Sequence, residues 1–160
     1  MILGMSPLLF VHVVVSLIGI GTGFVMLYGL LTKPHAGWTA GFLVAMILTS
    51  LTGFPLPATQ LLPSHIVGVI SMVLLALAVY AIYVKRLAGP WRWICVTTAV
   101  AAFYLNVFVG VVQSFQKLAF LKPLAPTQSE TPFLIAQLIV LGLFVALGYL
   151  AVKKFRPVMP

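Results

Sequence analysis

The chain has 160 residues, 62% of them hydrophobic and only 6% charged, with a mean hydropathy of +1.21. A soluble domain carries about 25% charged residues, so this composition leaves too little polar surface to cover a globule and makes lipid its solvent. The net charge of +8, nine Lys and Arg against the single acid Glu130, clusters at the ends of apolar runs, where it reports topology rather than nucleic-acid binding.

Five apolar runs follow one another along the chain. The first covers residues 7–31 and opens on Pro7, which suits the first turn of a helix because its missing N–H would be unpaired there anyway. Residues 1–7 contain no Lys or Arg, so this run is expected to be a retained span and not a cleaved leader. His12, Ser16, Gly19 and Gly23 fall at helical spacing on one face. Gly19 and Gly23 form a small-xxx-small pair that invites close approach by another helix, within the chain or on a second copy.

The stretch Lys33-Pro34-His35-Ala36-Gly37 is a polar turn, in which His35 is expected to be solvated. The second run, residues 38–54, holds about 17 residues, near the lower limit of roughly 17–25 for a crossing helix. Thr49, Ser50 and Thr52 lie in its last turns. An uncharged Pro-rich connection leads to the third run, residues 64–84, which begins beside His65 and ends at Lys85-Arg86. The fourth run, residues 91–115, carries Asn106 and Gln113 seven apart on one face, with Lys117 extending that stripe. The linker from Gln116 to Thr131 contains Glu130. The fifth run, residues 131–152, carries Gln137 and ends in Lys153-Lys154-Phe155-Arg156. Cys95 stands alone inside the fourth run, which excludes an internal disulfide and a cysteine metal cage.

The predicted fold is therefore an all-α membrane bundle of five transmembrane helices in a single domain. Five crossings put Lys33, Lys85, Arg86, Arg92, Lys153, Lys154 and Arg156 on one side and only Lys117 and Lys122 on the other. By the positive-inside rule the N-terminus is outside and the C-terminus cytoplasmic. Trp38, Trp91 and Trp93 then form an aromatic belt at the cytoplasmic interface.

That topology gathers the intramembrane polar residues in the outer half. His12, Ser16, His65, Asn106 and Gln113 become the candidate ligand-binding residues, with Thr49 to Thr52 and Gln137 at similar depth. If the first and third helices are neighbours, the two imidazoles face each other. Axial His pairs hold b-type haem, and neutral imidazole also suits Zn or Cu, so His12 and His65 are the candidate metal ligands. A quinone headgroup would take hydrogen bonds from His, Asn and Gln. The competing reading is that these groups hydrogen-bond across helices as packing glue. No Asp or Glu lies in any run, which disfavours a proton pump or cation-coupled transporter. One acid supplies neither a catalytic triad nor a hard-metal site. In the linker, Ser129 or Thr131 is expected to cap the fifth helix beside Glu130. A sharper alternative makes residues 124–133 a lid lined by Lys117, Gln128 and Glu130.

His12, the Gly19–Gly23 run, Lys33-Pro34-His35-Ala36-Gly37 and Thr49 to Gly53 together resemble a group of small polytopic bacterial membrane proteins of unknown function. The resemblance covers the first half best and extends to the Leu124 to Phe133 linker. It implies residence in a bacterial inner membrane and brings no activity with it. Three functions stay open. They are a small membrane protein with an outer-leaflet haem b or quinone site, an accessory subunit of a larger membrane complex, and a small channel or transporter. Expected partners are the bilayer and other membrane subunits or a second copy through Gly19 and Gly23; nucleic acid is not among them.

Overall fold

The computed structural model describes residues 6–33, 35–55 and 63–156. Pro34, the uncharged connection 56–62 and both chain ends lie outside the described residues. Five α-helices follow in order: α1 (Pro7–Leu31), α2 (Ala36–Gly53), α3 (Pro63–Tyr83), α4 (Trp91–Lys117) and α5 (Thr131–Lys154), with a short 3-10 turn at Lys122–Leu124. No strand forms among the described residues. All five helices are long and apolar enough to cross a membrane.

Local chemistry sets the boundaries. Ser6 caps α1, its Oγ accepting the Leu9 N–H at 3.3 Å, and Pro7 fills the first helical position. His35 does the same for α2 through Nδ1, which accepts the Gly37 N–H at 3.2 Å. The helix therefore starts at Ala36, two residues earlier than expected, because an imidazole nitrogen supplies the acceptor that an Asp or Ser would normally provide. Arg86 adopts φ +48° just past α3, and the Leu87 N–H reaches back to the Ala81 carbonyl at 2.9 Å. That bond reaches one residue further than the six-to-one bond of a glycine-ended helix and likewise satisfies one of the last carbonyls, with Arg in the left-handed conformation that Gly usually takes.

The start of α5 departs from expectation. Neither Ser129 nor Thr131 caps it; the cap position belongs to Glu130, whose carboxylate makes no bond to the helix. Instead Glu130 turns back into the linker. Its Oε1 accepts the Thr127 N–H at 3.1 Å and the Thr127 hydroxyl at 2.8 Å, while Oε2 accepts the Ser129 N–H at 3.1 Å. Some desolvation acts to raise the Glu130 pKa, but these donated hydrogen bonds outweigh it and hold the carboxyl below its ordinary range. A depressed folded-state pKa gives an ordering contribution that is full above the unfolded value and fades as pH falls through the folded one. Amide protection at Thr127 and Ser129, measured against the intrinsic exchange rate, should accordingly persist at neutral pH and fall selectively in acid. An equal loss of protection in acid in a Glu130→Gln variant would show that the carboxylate is not responsible.

Packing places α4 at the centre. It contacts α3 and α5 along their lengths and also meets α1, while α1 packs chiefly on α2. Phe103 of α4 is fully buried and meets Phe24 of α1, Phe42 of α2 and Phe144 of α5 edge-on, with centroids 5.1, 5.8 and 5.0 Å away. Such edge-to-face pairs contribute about 0.5–1.5 kcal/mol each beyond area burial. Ala78 and Ala81 of α3 and Ala99 and Ala102 of α4 are all buried, small residues that let backbones draw close. On α5 only Phe133, Gln137, Phe144 and Ala151 are buried, one helical stripe, and its large apolar residues otherwise face outward.

Gly19 and Gly23 pack inside the chain. A Cβ at Gly23 would sit 2.5 Å from the Phe103 ring, and one at Gly19 would sit 3.1 Å from Asn106 Nδ2 and 3.3 Å from Met46 Sδ. The glycine face is thus occupied by α4 and α2 of the same chain.

Candidate functional site

Successive helices alternate in direction, so opposite ends of the bundle collect different parts of the sequence. At one end, the close of α1 and α3 meets the start of α2 and α4 and the segment after α5. Met26, His35, Thr39, Tyr83, Cys95 and Phe155 there line a cavity of about 260 Å³, and Arg92 donates to the Phe155 carbonyl at 2.9 Å. The Lys85 ammonium lies 5.6 Å from the Tyr80 ring centroid and 5.5 Å from that of Trp91.

The opposite end holds a larger cavity of about 560 Å³. It begins at Ser6 on α1 and Lys117–Leu118 on α4 and reaches inward to Ile20 and Met46. Along α1 that is a depth of about 20 Å at about 1.5 Å per residue. Leu9, Val13, Leu17, Val67, Leu105 and Val109 supply apolar wall. His12, Ser16, Thr49, Ser50, His65, Ser71, Asn106, Gln113, Ser114 and Lys117 supply the polar points. A few polar groups in a mainly apolar cleft of about 300–1,000 Å³ is the ordinary form of a small-molecule site.

All five residues singled out from the sequence, His12, Ser16, His65, Asn106 and Gln113, line this one cavity. They do so by different means. His12 is half-buried, and its Nδ1 lies 3.1 Å from Thr52 Oγ1. The imidazole rests on Gly53, where a Cβ would come within 3.1 Å of Cε1. Ser16 and Asn106 are tied to each other: the Ser16 hydroxyl donates to Asn106 Oδ1 at 3.0 Å, and Asn106 Nδ2 donates to the Ser16 carbonyl at 3.2 Å. Asn106 therefore clamps α4 to α1, with one amide N–H left over. Gln113, half-buried one helical stripe further along α4, makes no side-chain hydrogen bond to the described residues, and Lys117 makes no ion pair with them.

The two histidines reach the cavity from α1 and α3, which are not packed neighbours. The adjacency of these helices, on which a facing pair of imidazoles was conditional, is not what forms: α1 packs chiefly on α2, α3 on α4, and the cavity borders both. For His12, the hydrogen bond to a neighbouring hydroxyl that the packing reading requires is present. Among the described residues no three or more His, Cys, Asp or Glu side chains cluster to hold a metal ion. A bare Zn or Cu ion at His12 and His65 would lack a third protein ligand of these kinds, whereas haem iron takes four of its ligands from the macrocycle.

Gln137, placed at the same depth from the sequence, does not line the cavity. It is buried at the α4–α5 contact, with Nε2 donating to the Phe108 carbonyl at 3.3 Å and Oε1 buried without a partner among the described residues. The alternative of a lid is not what the linker forms. Gln128 Nε2 donates to the Val112 carbonyl at 3.3 Å, and Ala125 packs with Phe115 and Phe133. The linker folds onto α4 and α5; of the three proposed lid residues only Lys117 reaches the cavity.

Thr52, Gly53, Ser71 and Ser114 are the contributors that sequence reasoning missed or left unassigned. Ser71 and Ser114 are single hydroxyls within apolar runs and carry no signal of their own. Thr52 and Gly53 lay within a polar cluster whose individual roles depend on the His12 ring. No family model, curated protein or solved structure matches this chain.

Proposed function

We propose that this is a multi-pass protein of a bacterial inner membrane that binds a small apolar molecule with a polar head, of quinone type, in the cavity between α1, α2, α3 and α4. The convergence of His12, His65 and Gln113 from three helices on one largely apolar cavity of about 560 Å³ carries this reading. An apolar tail would lie along the Leu, Val and Ile wall, and the polar points would orient the head. Protein purified in mild detergent should retain a quinone, extractable with organic solvent in near-equimolar amount. A quinone-free protein whose thermal midpoint ignores added short-tailed quinone would sink the proposal.

Haem b is the second reading, favoured by the pose of His12. Its Nδ1 is anchored to Thr52 and its Nε2 makes no hydrogen bond to the described residues, which suits a metal-bound imidazole held by an outer partner. A visible spectrum separates the two readings, since a bis-imidazole haem gives an intense Soret band and a quinone does not. The residues His12 and His65 would be its axial ligands.

The cavity belongs to the outer leaflet in this reading. The bundle collects Lys85, Arg92 and Phe155 at the far end, and charge asymmetry places that end in the cytoplasm. A C-terminal reporter that is active only outside the cytoplasm should be silent, and the same reporter at the N-terminus active. The reverse pattern would put the cavity on the cytoplasmic side.

A further inference from the structure

The hydroxyl of Thr52 has one proton. It donates to the Leu48 carbonyl at 2.8 Å, with the Thr49 carbonyl 3.1 Å away. With that proton on Leu48, its oxygen accepts from His12, whose Nδ1 stands 3.1 Å off. Accepting from Nδ1 requires an N–H at that nitrogen. In a neutral imidazole that leaves Nε2 with a lone pair and no proton. Nε2 makes no hydrogen bond to the described residues, and His12 lines the cavity.

We infer that the cavity prefers the reduced, hydroxyl-bearing form of its quinone-type ligand, because Thr52 holds His12 in the tautomer that presents an acceptor to the bound head. This rests on the quinone-type reading above. A hydroquinone O–H donates to Nε2. A quinone carbonyl in the same place would set lone pair against lone pair, unless His12 gave up its bond to Thr52 or Thr52 gave up its bond to Leu48. Gln113 offers both a donor and an acceptor and Lys117 donors, so the second oxygen of the head is accommodated in either form and the discrimination falls on His12. Thr52 is thus a positioning residue acting through the imidazole.

The test uses the full chain in detergent under anaerobic conditions, with a short-tailed benzoquinone and its hydroquinone as probes and binding read from thermal midpoint against concentration. The hydroquinone should bind about three- to tenfold more tightly, the effect of one hydrogen bond made or lost. Thr52→Val should bring the ratio toward one, and Thr52→Ser, which keeps the hydroxyl, should restore it. Nitrogen-15 NMR of labelled histidine should show His12 protonated at Nδ1 in the wild type and shifted toward Nε2 in Thr52→Val. Equal or reversed affinities, or an Nε2-protonated His12 in the wild type, overturn the inference while leaving the site itself intact. If neither form shifts the midpoint, the quinone-type reading falls and takes the inference with it.

Discussion

Gly23→Ala should destabilise the folded protein by about 1–3 kcal/mol, the usual effect of forcing extra volume into a filled core. Gly21→Ala, two residues away, should leave stability unchanged or raise it by a few tenths to about 1 kcal/mol through the better helix propensity of Ala. The added methyl is the same; its surroundings differ. At Gly23 the new carbon falls 2.5 Å from Phe103 Cδ2 and Cε2, well inside the roughly 3.5–4.0 Å of a normal carbon contact. At Gly21 nothing lies within 4 Å. Phe103 cannot yield, because it is fully buried and held edge-on by Phe24, Phe42 and Phe144. Gly29 provides a graded comparison. Its Cβ would meet Trp38 at 2.8 Å, but Trp38 is partly exposed and can move, so Gly29→Ala should cost less than Gly23→Ala. Thermal midpoints in one detergent decide the order. Equal midpoints for Gly21→Ala and Gly23→Ala would mean that α1 does not seat on Phe103 as described.

The five helices were legible because their apolar runs are uninterrupted and their breaks are chemically loud, with Pro7, Lys33, Lys85, Arg86, Pro90 and Pro132 near the ends. Boundaries moved by no more than about two residues, and the early start of α2 traces to capping by His35, which propensity rules do not anticipate. The gathering of His12, Ser16, His65, Asn106 and Gln113 at one end was also legible, since alternation of direction alone brings together the starts of α1 and α3 and the close of α4. Which helices adjoin was not. Helix pairing here depends on where Gly23 admits Phe103 and where Ala78 and Ala81 admit α4, and single positions do not announce their partners. Gln137 shows the same limit. Its depth followed from counting residues, but its direction, toward Phe108 and away from the cavity, is a matter of rotation about the helix axis. The tautomer of His12 lies further from the sequence still, because it depends on where one hydroxyl of α2 sends its proton.

Val109→Trp should abolish ligand-dependent stabilisation while leaving the ligand-free protein folded. Val109 sits on the stripe of α4 that lines the cavity, three residues after Asn106 and four before Gln113. A large side chain there grows into existing space, where filling is tolerated far better than in a closed core such as that around Phe103. A ligand at a hundred times its Kd stabilises its protein by about 2.7 kcal/mol. The variant should lose most of that shift, because tail and head can no longer occupy the wall and the polar points together. The comparison is between the ligand-induced shifts of wild type and variant, so a modest change in the ligand-free midpoint does not obscure it. His12→Ala and His65→Ala should reduce the shift through the head alone and leave some affinity from the apolar wall. A full shift in Val109→Trp would place the bound molecule elsewhere, and the smaller cavity between His35, Tyr83 and Cys95 would be the next to block. Loss in Val109→Trp with no loss in either histidine variant would keep the cavity as the site but remove the imidazoles from recognition, and the packing role of His12 against Thr52 would then be its whole role.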